Sequence, residues 1–405
     1  MELSKVVNFL KKHKSIVFLP IISILLLLTC FFANFWIIAT LFAIILLSLS
    51  DFAHIIYYTI FFQMFSSCGQ FSVICTFVAV VVVLVRYIVG IIRKTEKFYL
   101  MPFILTCIIC LVGCIRFIGI DKNGIYQGFS LIAALFFIYL LFVYRDRFKV
   151  SKCADYLIIG ILVSAGISFT TTLFNTHISK FVDVFGGFHR LKLLTENENS
   201  LSIYCSLALS GYVSSIINGK GNIFKNIIFG LTSIGFGLST RSKCFLIVCA
   251  FILLYLFFML IMNYKKKSIM FIAPAIVIFT IMYFAFRSTI GATIDRLMYR
   301  VDGEFSFNVF TTNRAHLWTI YLNEITSTIP NMIFGVGLFG KRLIDIGPHN
   351  LYIHILYRLG FIGVILLGIL GYFYYQASDK KLKLTLKNSL ILVVFLMIGM
   401  VEGFL

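Results

Sequence analysis

Residues 71–92 read FSVICTFVAVVVVLVRYIVGII, an apolar run whose one charge is Arg86. Wound as an α-helix, about 20 such residues match the hydrocarbon thickness of a bilayer. Working outward, comparable runs lie at 15–33, 36–50, 53–67, 99–118, 126–144, 156–175, 200–217, 226–240, 243–263, 268–286, 351–375 and 388–405. The runs at 36–50 and 53–67 are short, so the expected total is twelve to fourteen spans.

Composition leads to the same class. The 405 residues are 60% apolar and 13% charged, with a mean hydropathy of +1.00. Soluble chains are about half apolar and a quarter charged. Forty-five Phe and five Pro exclude a disordered chain. The alternation of about ten residues that marks a transmembrane barrel strand is absent. The expected fold is therefore an all-α polytopic membrane protein. Lys5, Lys11, Lys12 and Lys14 precede the first run and no small-residue cleavage site follows it, so it is read as a retained span.

Basic residues predict the orientation. With the N-terminus cytoplasmic, the inside loops carry Arg93, Lys94 and Lys97, then Arg145, Arg147, Lys149 and Lys152. Lys220 and Lys225, Lys265 to Lys267, and Lys380, Lys381, Lys383 and Lys387 follow on the same side. Much of the net charge of +19 is then an orientation signal beside anionic lipid, and nucleic-acid binding is not needed to explain it. Along the chain the expected order is N-terminal spans over 1–175 and central spans over 176–286, with an outer loop at 176–199. A long outer loop over 287–350 and C-terminal spans over 351–405 complete it.

Several signals fail. The ten Cys lie in or beside spans, and Cys107, Cys110 and Cys114 share a helical face that reads as helix packing. No P-loop, dinucleotide fingerprint or HExxH motif occurs. Glu196 and Glu198 read as a solvated edge.

What remains is polar and falls on the outer side. One cluster is Gly186-Gly187-Phe188-His189-Arg190 with Glu196-Asn197-Glu198-Asn199; a second is the tight turn Ser239-Thr240-Arg241-Ser242-Lys243. A third is Thr311-Thr312-Asn313-Arg314-Ala315-His316-Leu317-Trp318, and the last is Gly335-Val336-Gly337 followed by Gly347-Pro348-His349-Asn350. Arg241 in so short a turn is either a side chain snorkelling to headgroups or, with Lys243 and the hydroxyls at a helix N-terminus, an anion site. Arg314 reads as a solvated loop residue unless the site recruits it. His349 opens a helix at the membrane surface, and histidine exchanges protons near neutrality. Trp318 reads as an interfacial anchor. Two arginines, a helix-opening histidine and glycine-flanked turns suit a lipid-linked pyrophosphate.

These residues resemble the bacterial O-antigen ligase/polymerase superfamily. Gly335-Val336-Gly337, then His349-Asn350-Leu351-Tyr352, then Gly360-Phe361-Ile362-Gly363 is similar to its GxG, HNxxL and GxxG elements. Leu238 to Lys243 resembles its L(T/S)xSR turn, Arg314 with Trp318 its RxxxW element, and Arg190 with Asn199 its Arg…NPN segment, where Glu198 replaces the proline. The resemblance covers about 190–365. It implies a GT-C-type glycosyltransferase of the bacterial inner membrane, with short helices in its outer loop and its active site on the periplasmic face. It further implies no metal and no cofactor, undecaprenyl-pyrophosphate-linked oligosaccharides as donor and acceptor, and a chain-length regulator as a possible partner. By the same resemblance Arg241 and Arg314 hold the pyrophosphate and His349 is the base. Arg190, Asn199, Lys243, Asn350 and Tyr352 are candidate substrate contacts.

A polymerase extends a lipid-linked repeat unit; the alternative, a ligase, transfers the glycan to lipid A core or a protein. A reading from another class is a polysaccharide flippase, which predicts broken helices and mid-membrane charges, with Arg86 and Arg116 as candidates.

Overall fold

The computed structural model describes residues 3–32, 34–116, 122–174, 182–185, 188–264, 314–340, 347–376 and 389–401, with isolated positions at 280, 284, 287, 288, 291 and 343. The expected span at 268–286 lies almost wholly outside the described residues. So do the loop lysines 265–267 and 380–387 and the segments 176–181, 292–313 and 402–405.

Helices dominate: α1 (Leu3–Thr29), α2 (Phe35–Leu49), α3 (Phe52–Phe62), α4 (Phe71–Ile92), α5 (Leu100–Cys114), α6 (Lys122–Val143) and α7 (Val150–Leu173). A two-stranded antiparallel hairpin follows, β1 (Val182–Phe185) and β2 (Phe188–Leu191). Then come α8 (Glu198–Ile217), α9 (Ile223–Ser239), α10 (Lys243–Tyr264), α11 (Arg314–Thr326), α12 (Ile329–Phe334), α13 (Leu351–Gln376) and α14 (Leu390–Val401). The runs read from hydropathy coincide with helices wherever residues are described. The hairpin falls in a stretch expected to be loop, while α11 and α12 fall within the outer loop expected to carry short helices.

Phe71–Ile92, Val150–Leu173, Glu198–Ile217, Lys243–Met262 and Leu351–Gln376 are long and apolar enough to cross a membrane; the other apolar helices of the described chain are shorter. Side-chain exposure fits a lipid solvent. Leu254 (69%), Leu111 (65%) and Phe77 (64%) point outward from helix faces, and in water such faces would drive aggregation. The chain is an all-α membrane protein.

It divides into two compact units that interleave along the sequence. Unit 1 is Met1–Val89 with Asp146–Thr293; unit 2 is Gly90–Arg145 with Ile294–Leu405.

In unit 1, α8 is the central element and packs on α7, α9 and α10. Small residues allow that closeness: a Cβ on Gly211 would lie 2.8 Å from the Ala154 methyl. Its buried serines bond back to their own helix, Ser206 Oγ to the Ser202 carbonyl at 2.8 Å and Ser215 Oγ to that of Gly211 at 2.9 Å. At one end of this bundle Asp155 accepts from Lys225 Nζ at 2.7 and 2.8 Å. Arg86, on α4, donates to the carbonyls of Ser48 and Ser50, where α2 ends.

In unit 2, α13 packs on α5, α11, α12 and α14. Its core joins Ile109, Leu131, Leu135, Leu338, Leu359 and Leu370, with Cys110 and Cys114 packed against it, so these two thiols fill space between helices. The α13 helix is interrupted at Gly360 (φ 62°, ψ −171°). Against the break lies the non-helical segment 335–340, whose Val336 N donates to the Tyr357 carbonyl at 2.8 Å and Gly337 N to that of Arg358 at 3.1 Å. Leu338 N donates to Gly113 O, at the end of α5, at 2.7 Å. Glycine is required here: a Cβ at Gly360 would lie 2.3 Å from Ile333 O, and one at Gly337 1.8 Å from Arg116 O.

Two arginines inside apolar runs satisfy this non-helical backbone. Arg116 Nη1 donates to Asn331 Oδ1 at 2.8 Å and Gly335 O at 3.1 Å. Arg358, 1% exposed, donates to the carbonyls of Gly337 and Gly340 and to Gln127 Oε1. Irregular backbone survives at membrane depth only where protein or trapped water satisfies it.

Candidate functional site

The polar residues singled out in the sequence fall into two groups, one in each unit. In unit 1, β2 carries Arg190 opposite Asp183 of β1. The chain from β2 to α8 is pinned by three serine hydroxyls, of which Ser164 is buried. Leu194 N donates to Ser164 Oγ at 3.1 Å, Ser67 Oγ to Thr195 O at 2.6 Å and Glu196 N to Ser66 Oγ at 2.8 Å. Asn197 then caps α8, its side chain accepting from Ser200 N at 2.8 Å.

The pinned segment presents Glu198 and Asn199 to the α9–α10 turn. Arg190, 7% exposed, donates through Nε to Thr240 O at 3.1 Å, through Nη2 to Asn199 Oδ1 at 3.2 Å and through Nη1 to the Glu198 carboxylate. The solvated-edge reading of Glu198 is therefore corrected: this carboxylate is 14% exposed and ion-paired. Glu198 thus supplies the counter-charge to Arg190.

The turn itself is tight. Thr240 and Ser242 are buried while Arg241 and Lys243 are half-buried on either side. Thr240 Oγ1 donates to Gly237 O at 2.6 Å and accepts from Ser242 N at 3.3 Å. Ser242 Oγ reaches Asn199 Oδ1 at 3.5 Å. Arg241 takes the left-handed conformation, φ 51°.

In unit 2, Arg314 is the first residue of α11, and the preceding Thr311-Thr312-Asn313 lie outside the described residues. One turn on, Trp318 Nε1 donates to Pro348 O at 2.9 Å. The tryptophan read as an interfacial anchor thus ties α11 to the turn that opens α13. In that turn His349 is half-buried at φ 46°. Asn350 Oδ1 accepts from the backbone N–H groups of Tyr352 and Ile353, at 3.0 and 3.1 Å, and so caps α13. Its Nδ2 donates to Met400 O at 3.1 Å, and Tyr352 Oη donates to Leu396 O at 2.9 Å, joining the start of α13 to α14.

The structure thus gathers Arg190, Asn199, Arg241 and Lys243 around one turn, and His349, Asn350 and Tyr352 around another; Arg314 begins α11, the helix that Trp318 ties to that second turn. His189 lies on β2, His316 is exposed on α11 and His354 is buried one turn into α13. Among the described residues four non-glycine positions have positive φ: Lys94, Leu193, Arg241 and His349. Two of these are residues singled out from sequence for their chemistry. Holding a non-glycine residue there costs about 1–3 kcal/mol, which the surrounding bonds must offset.

No family model, curated protein or solved structure matches this chain.

Sequence reasoning missed Glu198, which supports the first turn, and the bonds of Arg116 and Arg358 that hold the glycine segment 335–340. A signal existed for the latter: two arginines inside apolar runs with no acidic neighbour, one of them two residues before Gly360. The flippase reading placed Arg86 and Arg116 on a transport path. In the structure Arg86, Arg116 and Arg358 donate to carbonyl and amide oxygens at helix ends and loops.

Proposed function

We propose that this chain is a membrane glycosyltransferase of the GT-C type, a polysaccharide polymerase that moves a growing glycan from undecaprenyl pyrophosphate to a lipid-linked repeat unit at the outer face of the bacterial inner membrane. The observation that carries the reading is backbone strain at chosen residues. Arg241 and His349 both occupy left-handed positions in turns that open apolar helices. A tight turn gains nothing from arginine there, since glycine would adopt the conformation without strain. Strain retained at a cation and at a proton acceptor fits pre-organised chemistry.

In this reaction the acceptor hydroxyl attacks the anomeric carbon in line with the departing pyrophosphate, so the configuration inverts. The new C–O bond takes the hydroxyl's electron pair, the bond to the phosphate oxygen breaks, and His349 takes the proton. Negative charge grows on the leaving group, and Arg241 and Arg314 stabilise it. Lys243 adds positive charge at the N-terminus of α10, where the helix dipole also favours an anion.

Arg241→Ala, Arg314→Ala and His349→Ala should each lower glycan assembly by about 10²-fold or more at normal protein level. Near-normal assembly in all three would reject the mechanism. Deletion of the gene separates the acceptors. Surface glycan of one repeat unit indicates a lost polymerase, and unattached lipid-linked long chains indicate a lost ligase.

A further inference from the structure

We propose that Arg190 is a positioning residue for Arg241, with Glu198 as the counter-charge that keeps it in place; the proposal rests on the glycosyltransferase reading above. The resemblance would make Arg190 a phosphate or sugar contact, but its geometry points elsewhere. All three guanidinium nitrogens bond within the protein, to Thr240 O, Asn199 Oδ1 and Glu198.

The first of those acceptors matters most. Thr240 immediately precedes Arg241, and its carbonyl belongs to the peptide that must rotate for Arg241 to leave its left-handed conformation. Arg190 Nε fixes that carbonyl at 3.1 Å. On the other side, Ser242 N is held by Thr240 Oγ1 at 3.3 Å, and Ser242 Oγ faces the Asn199 oxygen that Arg190 also engages. The peptide before Arg241 is therefore tied to β2 through Arg190, and the one after it to the Thr240 side chain, with Ser242 Oγ facing the start of α8. Glu198 stands in the first turn of α8, where the helix dipole favours a carboxylate. Removing it would leave the buried Arg190 without its counter-charge, a costly state for a guanidinium.

The test is binding of undecaprenyl pyrophosphate to the purified full chain in lipid nanodiscs. Arg241→Ala should weaken binding about tenfold or more. Arg190→Ala and Glu198→Ala should each weaken it by a similar factor in the native background. Neither should weaken it further once Arg241 is alanine, because a residue acting through another loses its effect when that other is gone. Glu198→Gln keeps an acceptor oxygen for Arg190 and should retain most of the affinity. Tighter binding by Glu198→Ala would mean that a freed Arg190 adds to the anion site, and would overturn the proposal. So would an equal loss from Arg190→Ala in both backgrounds, the mark of direct phosphate contact. Should Glu198→Ala fail to insert, the Arg190→Ala comparison in the two backgrounds decides alone. Unchanged binding by Arg241→Ala would instead remove the functional reading beneath the proposal.

Discussion

At the scale of single residues, the chemistry and the backbone conflict where function is proposed. Arg241 and His349 keep side chains that their φ angles disfavour. Replacing either with glycine should remove strain while adding unfolded-state entropy, two effects of similar size. Arg241→Gly and His349→Gly should therefore leave thermal stability within about 1 kcal/mol of the parent while turnover is lost. A large fall in melting temperature would instead make these side chains parts of the scaffold. Arg241→Lys keeps the charge but loses the planar fork, and is expected to lower turnover by about 10²-fold. Asn350 is a cap, so Asn350→Ala should cost about 1 kcal/mol in stability and disturb His349 beside it.

At the scale of elements, helix positions were legible in the sequence because a 20-residue apolar run has few structural solutions in lipid. The ends carried a signal the sequence reading did not use: Asn197, Asn222, Thr328 and Asn350 each accept a backbone N–H of the helix they open. The supports of the candidate site and of the glycine segment were not legible. Arg358 and Gln127 meet across 231 positions, and such pairs leave no periodic trace. The hairpin at 182–191 is too short for alternation to stand out. The glycines were singled out by resemblance; in the structure they allow the close approach of 335–340 to the broken α13. Gly360→Ala places a methyl 2.3 Å from Ile333 O at a positive φ, and should destabilise the protein by about 2 kcal/mol or more. Gly368→Ala meets nothing within 4 Å on the same helix and should be neutral or stabilising by up to about 1 kcal/mol. Thermal unfolding of the purified variants checks the pair.

At the scale of the whole molecule, charge placement predicts which face is which. A reporter active only in the cytoplasm should be active when fused after residue 264 and silent after residue 347. The reverse pattern would place the Arg241 and His349 turns on the wrong side for a lipid-linked donor presented outside the cell. Function is the least legible level: composition and hydropathy specify a membrane protein, while its activity depends on a few side chains whose roles no local pattern encodes. The most direct measurement incubates the purified chain with lipid-linked oligosaccharide donor and acceptor, without nucleotide or ion gradient, and follows release of undecaprenyl pyrophosphate. The expected result is release by the native protein and none by Arg241→Ala, Arg314→Ala or His349→Ala. Translocation of the glycan without release, or release that persists in all three variants, would contradict it.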